Sequence, residues 1–326
     1  MTVKFRKKFS EIYFQARQHI ATAECSGIIN DRVAGIRRTE LRPTSLASYV
    51  YLSSARSSLL GIYHDMILSW FKHRRRAKIL ATPFPDEWNN FIHDNVVHDR
   101  QLTHEQQQRL RRMVRIFVAE KNWEGCGGLT VTDEIKVTIA AQACLLVVGM
   151  HEDLHFDHVL SILIYPTGYV AQGTQPSRFG LVLESGQPRL GEAWWRGPVI
   201  LSWADAQAGG RKETPGHNLV LHEFAHQLDM INGRITDGTP PLKSKNQYDR
   251  WVSVLGPEFD NLVERCRRGN RGLIDCYGAT NPAEFFAVIT ETFFESPVVL
   301  RRQHGEIYDL LHDYYCLDTA EWPEDF

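Results

Sequence analysis

No apolar stretch in this chain reaches the roughly 18 residues that a membrane-spanning helix requires. The longest candidate, residues 139–150, contains Gln142 and runs into His151-Glu152. The basic N-terminus lacks the apolar segment and small-residue cleavage site of a secretory leader. Neither sign of charge dominates: 37 Lys and Arg against 39 Asp and Glu give a net charge of −2, which excludes a globally basic nucleic-acid binder. The six cysteines include no C-x-x-C pair, and Cys144 lies in an apolar helical run; in a chain of 326 residues this favours a reducing compartment over a disulfide framework. No internal repeat is present. The expectation is a cytoplasmic protein with neither nucleic acid nor membrane as a direct partner. Its 43% hydrophobic content is enough to bury a substantial core.

What is present is more specific. His222-Glu223-Phe224-Ala225-His226 spells H-E-x-x-H inside an apolar, helix-compatible run from Leu219 to Met230. On a helix, positions i and i+4 share a face one turn apart, so His222 and His226 present two imidazoles to a tetrahedral zinc site. Glu223, between them, is then the general base for an attacking water. Thr214 or Asn218 is placed to cap this helix, and Asn232-Gly233 to stop it. A second match, His151-Glu152-Asp153-Leu154-His155, follows a helix of residues 133–148 that ends at Gly149. Its charge density and the strand-like run behind it (159–165) mark it as a polar loop.

Asn281-Pro282-Ala283-Glu284 reads as a helix cap followed by Pro in the first turn. Glu284 is there either a partner of the helix dipole or the third ligand of a His2Glu site. Two further carboxylates are candidates for orienting a ligand. Asp229 returns to the helix face of His222 after seven residues, and Glu291 holds the same relation to Glu284. The alternative for each is a surface or capping carboxylate. Trp194, Trp195 and Trp203 are candidates for cleft or core.

Three segments, 191–203, 218–229 (N-L-V-L-H-E-F-A-H-Q-L-D) and 277–288 (Y-G-A-T-N-P-A-E-F-F-A-V), together resemble the Mlc titration factor A family. Its members are glucose-regulated zinc metallopeptidases with a zincin catalytic core similar to that of anthrax lethal factor. The similarity runs from Trp70 to the C-terminus. It implies one Zn2+ held by His222, His226 and Glu284, with Glu223 as general base and Tyr277 as the active-site tyrosine that hydrogen-bonds the developing oxyanion. It implies an aminopeptidase-type hydrolase acting on peptide or protein substrates. It also implies an alternative role, capture of a transcriptional repressor of the Mlc type.

Residues 1–65 carry ten Lys or Arg against five Asp or Glu. They read as an extension, with Met66 opening a segment similar to the start of many family members. Residues 66–150 read as a helical part, in which Thr103 and Gln106 form a capping box. Residues 151–326 read as the zincin-like catalytic part, with strands at 159–165, 180–184 and 199–203 before the active-site helix, and 66–326 as one compact unit. The fold class is α+β, with a small mixed sheet beside that helix.

Overall fold

The computed structural model describes residues 69–151, 154–168, 197–214, 216–233 and 236–323. These fall within one compact unit, Leu68–Phe326. The expected extension over 1–65, the start at Met66, the strand at 180–184, and Trp194 and Trp195 lie outside the described residues.

Residues 69–79 are helical (α1). Then come α2 (Asp86–Asn95), α3 (His104–Glu120), β1 (Asn122–Gly125), α4 (Asp133–Leu145), β2 (Ser161–Tyr165), β3 (Val199–Ser202) and α5 (Trp203–Gly210). The chain continues with α6 (Leu219–Asp229), α7 (Lys245–Arg267), α8 (Pro282–Glu295), α9 (Pro297–Gln303) and α10 (Gly305–Tyr315). The fold is α+β, as expected, and mainly helical. Among the described residues no helix is long and apolar enough to cross a membrane.

Local signals account for most helix starts. The Thr103 side chain accepts from Gln106 N while the Gln106 side chain accepts from Thr103 N, a complete capping box. Thr132 caps α4 and Asn281 caps α8, with Pro282 in the first turn. The expected continuation of α4 to Val148 gives way to turns after Leu145, where the chain bends under α10. At Gly149 a Cβ would lie 2.5 Å from the Tyr315 carbonyl oxygen, so the two backbones approach closely there.

The three described strands pair in the order β1-β2-β3, and both pairings are parallel rather than mixed. The segment 66–150, expected to be mainly helical, is so where described, but it also contains β1. Asn-Trp-Glu-Gly has no β-branched run to announce a strand, and it is an edge strand held by its neighbour: Asn122 N donates to Leu160 O and Cys126 N to Ile164 O. β2 shows the alternation of a half-buried strand, with Ile162 and Ile164 fully buried. Trp203, expected to end β3, instead opens α5, because Ser202 caps that helix by accepting from Asp205 N.

Helices α4, α6 and α8 lie largely inside the core, and α6 and α8 turn polar side chains toward each other there. Phe224 of α6 packs within 5.6 Å of Phe117 and 5.0 Å of Phe156, ring centre to ring centre. The α6–α8 pair is the most extensive contact between elements.

At its C-terminal end, α8 buries a polar pair. Glu295 Oε1 lies 3.5 Å from His98 Nε2, both side chains being essentially inaccessible, and Asn218 Nδ2 donates to Glu295 Oε1 at 3.4 Å. Burial pushes the Glu295 carboxyl up to about 8 and the His98 imidazole down to about 3. The two act on stability with opposite signs. Between its ordinary range and about pH 8, Glu295 is protonated when folded and ionised when unfolded, so its contribution falls as pH rises. His98 is neutral when folded and protonated when unfolded below about pH 6.5, so its contribution rises with pH over that range. Glu295→Gln is therefore expected to remove a loss of up to about 1.4 kcal/mol per pH unit between pH 6.5 and 8. Urea unfolding at both pH values checks this; parallel curves for wild type and variant would contradict it.

Candidate metal centre

The helix α6 starts because the Asn218 side chain accepts from Leu221 N at 3.0 Å, and it runs through the H-E-x-x-H residues before a single 3-10 turn over Met230–Asn232. One helical turn separates the two histidines, whose ring centres are 4.9 Å apart. The cap at Asn281 accepts from Glu284 N at 3.0 Å and fixes the first turn of α8. Glu284 Oε2 consequently stands 3.1 Å from His222 Nε2 and 3.4 Å from His226 Nε2. One ligand atom from each of the three residues lies within 4.8 Å of the other two, the one such group among the described residues. The sequence-predicted trio is brought together by two helices far apart in the chain.

Behind this trio sits the carboxylate of Glu291, fully buried on α8. Its Oε1 is 2.9 Å from His222 Nδ1, and its Oε2 accepts from Asn218 N at 2.7 Å. That contact fixes the ring orientation and leaves Nε2 on the side of Glu284. Glu291 thus orients an imidazole of α6, rather than standing only in relation to Glu284 on its own helix. Asp229 does not share this task. It is buried and accepts from Gly238 N at 2.7 Å and Thr239 N at 3.0 Å, so it is a capping carboxylate for the loop after α6. Gly238 has φ +82°, and a Cβ there would meet the Pro282 carbonyl oxygen at 2.5 Å. Asp229 therefore presses this loop against the start of α8, next to Glu284.

The electrostatics favour positive charge at the trio. Burial lowers the pKa of His222, but its hydrogen bonds to Glu284 and Glu291 outweigh that and raise it to about 10. Burial likewise works against ionised Glu284, and its hydrogen bonds from His222 and His226 hold it well below the usual carboxylate range. Burial raises the Glu223 carboxyl, with the two imidazoles pulling the other way. The Tyr277 ring centre is 5.9 Å from that of His222. Tyr277 is carried by a 3-10 turn, Cys276–Ala279, that Asp275 caps by accepting from Tyr277 N at 2.7 Å.

Comparison with known proteins decides the family. The model of the glucose-regulated metallo-peptidase M90 family matches residues 70–316. The chain belongs to this family. The uncharacterized protein slr2042 of Synechocystis sp. is 38% identical over 246 residues, covering 75% of this chain and 88% of that protein. Proteins named Mlc titration factor A from Serratia proteamaculans and Yersinia pestis are each 30% identical over 251 residues; these alignments cover 76% of this chain and 92% and 89% of the relatives.

A metallopeptidase family implies a metal, and the donor set fits one. Two imidazoles and a carboxylate are the zinc-ligand types, they converge, and the surrounding carboxylates stabilise a cation where they meet. His151 and His155 of the second H-E-x-x-H match join no such ligand group among the described residues. His151 is exposed, residues 154–156 are irregular, and His155 and Phe156 offer their carbonyls to the buried Lys121 ammonium at 3.1 and 2.6 Å. Its described residues lie outside any helix or strand, as the sequence indicated for a loop.

Sequence reasoning missed one pairing. Cys266 and Cys276 form a disulfide, a bond not anticipated where the spacing favoured a reducing compartment; Cys126, Cys144 and Cys316 are free. Their separation of ten residues gives no pairing signal by itself, and only the packing of the loop against α7 brings them together.

The Glu291 contact leads to a prediction. Glu291→Gln is expected to keep the fold and to weaken zinc retention by about 10- to 100-fold, because the neutral amide raises ligand basicity less than the carboxylate does. Chelator competition on purified protein measures it, and an unchanged affinity would remove Glu291 from the metal centre.

Proposed function

We propose that this member of the family is a zinc-dependent metallopeptidase, of aminopeptidase type, acting on peptide or protein substrates. The observation that carries the proposal is the convergence of His222, His226 and Glu284, with Glu223 on the same helix in electrostatic reach of both imidazoles and Glu291 gripping His222 from behind. In this reading the three converging residues hold Zn2+. When bound, the ion supplies Lewis-acid polarisation of the scissile carbonyl and acidifies water. Glu223 takes the proton of the attacking water and delivers it to the departing amine, a transfer eased by the raised affinity for protons that burial gives its carboxyl. The phenol of Tyr277 donates a hydrogen bond to the oxyanion that develops on the carbonyl, an interaction stronger in the transition state than in the substrate.

A second reading rests on the relatives. Two proteins that share 30% identity with most of this chain carry the name Mlc titration factor A, and that name fits capture of a transcriptional repressor of the Mlc type. Such capture does not require peptide hydrolysis, so one variant separates the readings.

Glu223→Gln is expected to retain close to one zinc per chain and to lose peptidase turnover by several orders of magnitude; a repressor-capture role survives it. Metal analysis with a peptide-library cleavage profile, on wild type and variant, provides the test. Normal turnover in the variant would refute the role of Glu223. Tyr277→Phe is expected to lower kcat by roughly 10²- to 10³-fold with zinc content unchanged. Steady-state kinetics on the best library peptide measures that loss, and a wild-type kcat would take the phenol out of the reaction.

A further inference from the structure

The turn carrying Tyr277 is held on both sides by its immediate neighbours. On one side Cys276 is joined covalently to Cys266 in the last turn of α7. On the other, Gly278 is buried between α7 and α8. A Cβ there would lie 3.3 Å from Leu262 Cδ2 and 3.3 Å from Val288 Cβ, and 3.5 Å from Phe285 Cα, so the backbone itself fills this space. Within the turn, Tyr277 N donates to Asp275 Oδ1, Gly278 N to Asp275 O, and Thr280 Oγ1 and N to Tyr277 O. Between Cys266 and Cys276 the chain crosses a loop of mostly exposed residues with Gly269 at φ +76°, which Arg265 anchors by donating to Ile274 O at 2.6 Å and accepting from Asn270 N at 3.1 Å. Both sulfur-bearing residues are half-buried, within reach of a small reductant.

We infer that the Cys266–Cys276 disulfide is a positioning device for Tyr277, holding its phenol at the metal centre, and that reducing the bond lowers turnover while leaving the metal in place. This rests on the catalytic reading of Tyr277 given above. A cross-link between the end of a helix and the residue beside an active-site side chain removes backbone freedom at that side chain. Misplacement by about 1 Å can cost around 10²-fold in rate. The metal ligands are untouched, because they are held by α6, α8 and their caps. Reduction by a phosphine breaks the sulfur–sulfur bond: phosphorus attacks one sulfur, water hydrolyses the resulting thiophosphonium, and the products are two thiols and a phosphine oxide. The two electrons reside on the former disulfide sulfurs, and oxygen or another disulfide reverses the change.

The experiment compares the air-oxidised protein, the same protein reduced with tris(2-carboxyethyl)phosphine and desalted, and the Cys266→Ser/Cys276→Ser variant. The expected result is a fall in kcat of about tenfold or more on reduction, with KM and zinc content within about twofold. The double variant should match the reduced enzyme and ignore the reductant. In a Tyr277→Phe background reduction should produce no further loss, since both changes remove the same interaction. Hydrogen exchange followed by mass spectrometry should show faster exchange over 276–279 after reduction and no change over 219–229. Three results would overturn the inference: free thiols at both positions in the oxidised protein, equal exchange over 276–279 in both states, or a loss of turnover that persists undiminished in Tyr277→Phe. If oxidised wild type has no turnover beyond that of Glu223→Gln, the peptidase reading fails, and the exchange comparison alone decides the positioning claim.

Discussion

A single buried carboxylate, that of Glu291, joins the two helices on which everything else at the site rests. One of its oxygens takes the backbone N–H of Asn218, the cap residue of α6, and the other meets His222 Nδ1 one turn further on. A buried carboxylate without such partners would be strongly unfavourable. Here both oxygens are satisfied, and both partners belong to α6, so the contact fixes the rotation and register of α6 against α8 and not merely their proximity. Once that register is set, Glu284, two turns earlier on α8 and on the same face, falls opposite His222 Nε2. One imidazole is thereby gripped between two carboxylates of a single neighbouring helix.

Supports around this contact act on the ends of the same helices. Asp229 closes the loop after α6 and seats Gly238 against the carbonyl of Pro282, which steadies the first turn of α8. Trp251 of α7 donates its indole N–H to Gly238 O at 3.0 Å, tying a third helix to the same point. Gly278 lets the turn carrying Tyr277 descend between α7 and α8. Each of these is a close backbone approach or a saturated buried acceptor, so each admits little positional freedom.

The parts that could be read in advance are those encoded over short stretches of chain. The i, i+4 histidines, the Asn281-Pro282 start and the Thr103–Gln106 box are spacings within one or two turns, and the structure has each of them. The roles of Asp229 and Glu291 could not be told apart, because seven-residue spacing puts either one on a suitable face. Which carboxylate meets an imidazole depends on how α6 and α8 cross, and that is a property of two segments distant in sequence. Edge strand β1 was hidden because its ladder bonds to β2 hold it in place, while its own residues favour no strand. The disulfide was hidden for the related reason that its two cysteines meet only when the loop after α7 folds back.

Three glutamates, 284, 291 and 295, follow one another along α8 at spacings of seven and four, which keeps them on a single stripe facing the buried elements around α6. They are chemically identical, yet the fold gives them different work. Glu284 faces two imidazoles and is held ionised well below its usual range. Glu291 divides its oxygens between an imidazole and a backbone N–H. Glu295 lies beside a histidine that burial keeps neutral, so burial also keeps its own carboxyl protonated up to about pH 8. Negative charge on the stripe is therefore concentrated at the end that meets the imidazoles and withheld at the end that meets the core. That gradient requires no difference in side-chain type. It follows from which partner each turn of the helix reaches, and it directs the attraction for a cation toward the place where His222, His226 and Glu284 converge.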